Sequence, residues 1–157
     1  VREGYIADFT RIITLGELPG ELARAYEAAL HVQDVVRGIA GPGVPCAAVW
    51  NAAEAAARAA GFGDGFMGRG ESKVRFVGHG VGLELDELPV LTTSDLELAE
   101  GMVFALEPKF VLPGMGAIGV ENTWRVSGDG IVALTTASKS SSDRPRDPRA
   151  RGGRWRS

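Results

Sequence analysis

Apolar and polar positions follow two different rhythms along the first sixty residues. Residues 1–15 (VREGYIADFTRIITL) are dense in Tyr, Ile, Phe and Thr, with Gly4 as the only breaker, which reads as extended chain. Gly16 to Gly20, with Pro19 inside, then turns the chain. From Glu21 to about Ile39, apolar residues recur at Leu22, Tyr26, Ala29, Val32, Val36 and Ile39. Steps of three and four mark an amphipathic helix, and Gly41-Pro42-Gly43 stops it. A second helix is expected from about Ala47 to Ala60, ending at Gly61. Its many Ala residues suit it to close packing on a sheet.

Beyond Gly61 the rhythm changes again. A glycine-rich stretch runs to Gly70, and strand-like pieces follow at 74–77, 82–85, 102–108, 110–112, 117–125 and 131–134. Ser127-Gly128-Asp129-Gly130 is a hairpin turn between the last two, and Leu96 to Glu100 reads as one helical turn. Extended chain, two helices and a run of antiparallel strands predict an α+β fold. The domain is expected over residues 1–136. Residues 137–157 read as a disordered basic tail, rich in Ser, Pro, Arg and Gly, with too little apolar surface to offset the entropy of ordering. The chain opens on Val1 within a strand-like segment and so reads as a piece of something longer, truncated on its N-terminal side.

Composition narrows the setting. Hydrophobic residues make up 45% and charged residues 24%, ordinary values for a soluble globular protein. No apolar run reaches the roughly 20 residues that span a bilayer, and no signal peptide opens the chain, so no membrane partner and a cytoplasmic location are expected. The single Cys46 cannot form an internal disulfide and reads as a small buried hydrophobe. The net charge of −3 conceals an asymmetry. Seven of the 17 basic residues and two of the 20 acidic ones lie beyond residue 136, which leaves a body near −8 and a tail near +5. An acidic body argues against nucleic acid as a partner, because phosphate neutralisation needs clustered Lys and Arg.

Four acidic or His residues sit in apolar or glycine-rich surroundings where a polar group needs a reason: Asp8, His79, Glu107 and Glu121. Asp8 lies between Ile6 and Phe9, and His79 lies in Gly78-His79-Gly80-Val81-Gly82, where glycines permit close approach of backbone or ligand. Glu107 follows Phe104-Ala105-Leu106, and Glu121 follows Ile118-Gly119-Val120. A buried carboxylate is costly unless paired or coordinated. With only Arg11 and Lys109 nearby as counter-charges, three carboxylates and an imidazole point to a divalent cation, although each residue alone is more ordinarily a salt-bridged or turn residue. His31 reads as a surface or packing residue of the first helix, and Trp50 and Trp124 as core.

The string GHGVGLELDELPVL (78–91) resembles the signature of the pita-bread metallopeptidases, the fold shared by methionine aminopeptidase, aminopeptidase P, prolidase and creatinase. GYIADFTRIITLG (4–16), GMVFALEPKFVLPGMGAIGVENTWRV (101–126) and GDGIVALTT (128–136) agree with it in order. The step of 14 from Glu107 to Glu121 is similar to the Xaa-Pro aminopeptidase and prolidase branch. The resemblance implies two divalent metal ions (Mn, Co, Fe or Zn) held by two Asp, one His and two Glu, together with a peptide substrate. Asp8, His79, Glu107 and Glu121 match four of those ligands. Glu107 also matches the proton shuttle for the attacking water, Glu121 the bridging ligand, and His79 a member of the catalytic set. Members of this branch are often dimers, so a homodimer is expected.

Two positions depart from the family pattern. Its first Asp would fall ahead of Val1, so one metal position is expected to be weakened. Its second His, which contacts substrate, is replaced by Asp86, and an ionised Asp cannot donate a hydrogen bond. Three functions therefore compete: a metal-dependent Xaa-Pro exopeptidase impaired in this chain, a non-catalytic peptide-binding module, and another hydrolase or lyase on the same fold.

Overall fold

A computed structural model describes Val1 and residues 3–135. The expected basic tail, 137–157, lies outside the described residues. Among the described residues the chain forms two α-helices and seven strands. They are α1 (Gly20–Ile39), α2 (Cys46–Ala59), β1 (Phe76–Gly80), β2 (Glu87–Thr92), β3 (Val103–Leu106), β4 (Lys109–Leu112), β5 (Gly116–Gly119), β6 (Asn122–Ser127) and β7 (Gly130–Ala133). Two short 3-10 turns, Gly63–Gly65 and Gly70–Ser72, lie between the helices and the sheet. The α+β expectation holds.

All strand pairings are antiparallel. The main sheet has the order β2-β1-β3-β6-β7, and β4 and β5 form a separate hairpin that leaves it after β3 and returns at β6. The predicted turn closes β6 on β7 with Ser127 opposite Gly130. Both helices begin and end within a residue of expectation. The buried face of α1 carries Ala25, Ala28, Ala29, Val32 and Val36, and that of α2 carries Cys46, Val49, Trp50, Ala53, Ala56 and Ala57. These small residues let the helices pack on each other while α2 lies over β1 and β2 and α1 over the β4–β5 hairpin. An aromatic cluster fills the other end of the core: Phe66 stacks on Trp50 at 5.8 Å and meets Phe110 at 5.6 Å, and Phe62 meets Phe110 at 5.4 Å. Trp124 is also buried, as expected. No helix among the described residues is long and apolar enough to cross a membrane.

Three local expectations are corrected. Residues 1–15 form no regular strand; the segment is held by scattered contacts, among them the bridge of Thr10 to Glu121 and Ile6 N–H donating to Gly82 O at 2.7 Å. A ladder there would need β6, which is already paired by β3 and β7. Residues 82–85 form a bend, closed by Gly82 N–H donating to Glu84 O at 3.0 Å, and the strand begins only at Glu87. Leu96 to Glu100 is not helical. Cys46 N–H donates to Leu96 O, and Leu98 N–H to Val44 O, so the segment's polar backbone groups are used by the chain entering α2.

Phe66 is fully buried and touches both the helical and the hairpin sides of the core. Phe66→Ala is expected to cost about 3–5 kcal/mol through lost transfer energy and the cavity left behind. Urea unfolding checks this as a lower midpoint with an unchanged slope.

Candidate metal centre

Four segments separated in sequence deliver the site. His79 sits in β1, the strand flanked by β2 and β3, opposite Val90 on one side and Ala105 on the other. Its neighbouring glycines are there because the adjacent strands come so close: a Cβ on Gly78 would stand 2.3 Å from Ala105 O, and one on Gly80 would stand 2.3 Å from Leu88 O. Glu107 follows the end of β3, and Glu121 directly precedes β6. Asp8 comes from the N-terminal segment.

That segment is pinned at several points. Thr10 and Glu121 exchange backbone hydrogen bonds, both at 3.3 Å. The Thr123 hydroxyl accepts from Asp8 N–H at 2.9 Å and donates to Asp8 O at 2.7 Å. Arg11 donates to Glu121 O at 2.6 Å and to Asn122 Oδ1 at 2.7 Å. Each contact grips backbone or an amide, so the Asp8 carboxylate stays available.

The result is a cluster in which Asp8, His79 and Glu121 each bring one ligand atom to within 4.8 Å of the others. Glu107 stands at its edge: Oε1 lies 3.9 Å from His79 Nε2, while Oε2 accepts from Lys109 Nζ at 2.7 Å. Asp86 lies beside His79. Its side chain is 76% exposed, and Oδ1 lies 3.3 Å from His79 Nδ1. Gly80 O faces the same nitrogen at 3.2 Å. Two oxygens on Nδ1 place the proton there and leave the Nε2 lone pair for another partner.

Glu121 is the most constrained of the carboxyls. Its pKa is raised, chiefly because burial removes water from the charged form and further by the nearby Asp8 and Glu107; the Thr10 hydroxyl, which donates to Oε2 at 2.7 Å, and His79 oppose the rise. The donor set fits a divalent cation: carboxylate oxygens and one imidazole suit Mn, Co, Fe or Zn, and a cation would offset the mutual repulsion of the carboxylates. Of the four side chains expected from the sequence, the fold brings Asp8, His79 and Glu121 together and leaves Glu107 at the edge. Sequence reasoning missed Gln33 and Thr123, which hold the backbone around them; a Gln at an apolar helix position was the available signal. His31 is exposed on α1, and Cys46 is buried.

The match of metallopeptidase family M24 to residues 1–128 agrees with this geometry, and the chain belongs to that family. It is 30% identical over 140 residues to an Xaa-Pro dipeptidase of Lactobacillus delbrueckii subsp. lactis, covering 88% of this chain and 36% of that protein. Among solved structures it superposes on an X-Pro aminopeptidase from Thermotoga maritima MSB8 with a TM-score of 0.80 and 32% identity, covering 88% of this chain and 38% of the other. The prolidase from Pyrococcus furiosus gives a TM-score of 0.78 at 30% identity, covering 87% of this chain and 39% of the other. The fold is thus the pita-bread arrangement, and the chain spans a little over a third of the length of these relatives.

The raised Glu121 carboxyl has a consequence for stability without metal. The folded state holds that proton more tightly than the unfolded chain, so its stabilising contribution is present below the ordinary value of 4.5 and is lost as pH rises through the raised value. In chelator-treated protein, Glu121→Gln should therefore raise the melting temperature at neutral pH and leave it nearly unchanged near pH ~4. Added Mn2+ should stabilise the unsubstituted chain and not the variant, as read by thermal unfolding.

Proposed function

We propose that this chain carries the metal-binding part of an exopeptidase that releases the N-terminal residue from Xaa-Pro peptides. The convergence of Asp8, His79 and Glu121, with Glu107 beside them, carries the reading. Family membership, the Xaa-Pro dipeptidase and X-Pro aminopeptidase names of two relatives and the prolidase name of a third support the substrate class.

Asp8, His79, Glu107 and Glu121 would hold divalent cations, two in the complete site. A further Asp, expected from the resemblance, has no counterpart ahead of Asp8 within these 157 residues. When bound, the cations acidify a water and polarise the scissile carbonyl. Glu107 takes the water's proton on Oε1 and later passes it to the leaving amine, while Lys109 fixes Oε2. His79 would hold a cation, with Nε2 available for it where Asp86 orients the ring by accepting from Nδ1–H. In this role Asp86 acts on the ligand, not on the substrate.

The test joins metal content after Mn2+ or Co2+ loading with release of the N-terminal residue from an Xaa-Pro peptide, on this chain and on one extended upstream to a further Asp. Metal in both and turnover mainly in the extended chain are expected. Absence of metal and turnover from both would overturn the peptidase reading in favour of a peptide-binding module. Turnover on other amide or C–N substrates alone would favour a different chemistry on the same fold.

Two substitutions separate the roles. Glu107→Gln should lower turnover by about 10²–10⁴-fold, the range for loss of a general acid–base. Asp86→Asn should weaken metal affinity by about tenfold, the low end for an outer partner of a ligating His, because Asp86 is largely exposed. Equilibrium dialysis with Mn2+ reads the second effect.

A further inference from the structure

Gln33 is a polar residue on the buried face of α1, with no exposed surface. Its amide group reaches the metal-ligand strands at three points. Nε2 donates to Leu106 O at 2.9 Å and to Val120 O at 3.3 Å, and Oε1 accepts from Asn122 Nδ2 at 2.8 Å. Leu106 immediately precedes Glu107, while Val120 and Asn122 bracket Glu121. Leu106 and Asn122 are also paired across β3 and β6, at the point where the β4–β5 hairpin departs and returns.

We infer that Gln33 is a positioning residue for the metal centre, setting the spacing and orientation of Glu107 and Glu121 from the helix behind them. The inference rests on the reading of the cluster as a metal site. Three features carry it beyond ordinary core packing. A primary amide has two N–H donors and a carbonyl acceptor, and both functions are engaged here. The two accepting carbonyls lie on different sides of the hairpin excursion, so one side chain ties together two backbones that diverge between residues 107 and 121. Finally, the network continues into the segment that carries Asp8: Asn122 Oδ1 accepts from Arg11 and from the Thr135 hydroxyl, and Arg11 also donates to Glu121 O beside Thr10. Helix α1 is thereby connected to the segment that carries Asp8 through two buried amides and one guanidinium.

An apolar side chain of the same length would fill the volume and leave two carbonyls and the Asn122 amide without Gln33. Each strand end could then relax independently, and the ligand atoms would lose their common geometry. The substitution also destabilises the fold, because buried unsatisfied polar groups are costly. The test must therefore read metal geometry separately from stability.

The experiment is Co2+ titration of the full chain well below its unfolding temperature, following the visible d–d absorption. Gln33→Met is compared with Val32→Ala, a change at the neighbouring buried residue on the same helix that leaves the amide intact. Gln33→Met is expected to weaken Co2+ binding by about tenfold or more and to shift the d–d bands, as loss of an outer partner does at other metal sites. Val32→Ala should lower the melting temperature with affinity and spectrum unchanged. Gln33→Asn, which keeps the amide and shortens its reach by one methylene, should shift the bands in the same direction by less, and it stands in if Gln33→Met fails to fold. Unchanged affinity and spectrum in the Gln33 variants, or an equal change in Val32→Ala, overturns the positioning role alone. No Co2+ binding by the unsubstituted chain overturns the metal reading and this inference with it.

Discussion

Where Thr10 and Glu121 exchange backbone hydrogen bonds, residues 111 apart in sequence are closed into one loop, and the ligating side chains meet because of that closure. Both bonds are long at 3.3 Å, and bringing such distant residues together carries an entropic cost. The contact is reinforced from three directions: the Thr10 hydroxyl on the Glu121 carboxylate, Arg11 on the Glu121 carbonyl, and Thr123 on both backbone groups of Asp8. Remove the closure and His79 remains in its strand, but Asp8 has no fixed place.

The same closure sets up an electrostatic conflict. It drives a buried carboxyl toward two other carboxylates, and the fold answers with few cations. Lys109 engages only one oxygen of Glu107, and Arg11 donates to the carbonyls of Thr10 and Glu121 and the Asn122 amide. The pKa of Glu121 is raised chiefly by its burial, and the neighbouring Asp8 and Glu107 add to the rise. A bound divalent cation would offset it, so the arrangement is costly alone and coherent as a ligand set. Burial and repulsion are here the preparation of a site, because groups that repel one another are held in place by the contacts of their backbones.

Much of this was legible from residue order alone. The two helices followed from apolar spacing, and the polar residues stranded in apolar runs singled out Asp8, His79, Glu107 and Glu121. Paired structure was harder to read. Residues 1–15 have the composition of a strand but find only isolated contacts, at Gly82 and at the residues leading into β6, a strand that β3 and β7 already flank. Residues 82–85 carry a strand-like alternation that Gly82 and the Glu87 side chain turn into a bend, since Glu87 Oε2 accepts from Glu84 N–H. Strand identity depends on an available neighbour, which a single segment does not encode. Gln33 escaped for a related reason: its partners are backbone carbonyls 73 and 87 residues away.

Asp86 shows how a departure from a family pattern can leave the centre coherent. A His at that place offers a donor to substrate; an ionised Asp offers only acceptors. Its nearest contact is inward, 3.3 Å from His79 Nδ1, where a carboxylate can accept from the ring and orient it. That gain is limited by water, since the Asp86 side chain is mostly exposed and Gly80 O already competes for the same N–H. In the proposed function, residue 86 would serve the orientation of His79 and not contact with the substrate. On the proposed chemistry, charge developing on the substrate would have to be met by the cations and by donors other than residue 86, so the departure bears more on turnover than on the assembly of the metal centre.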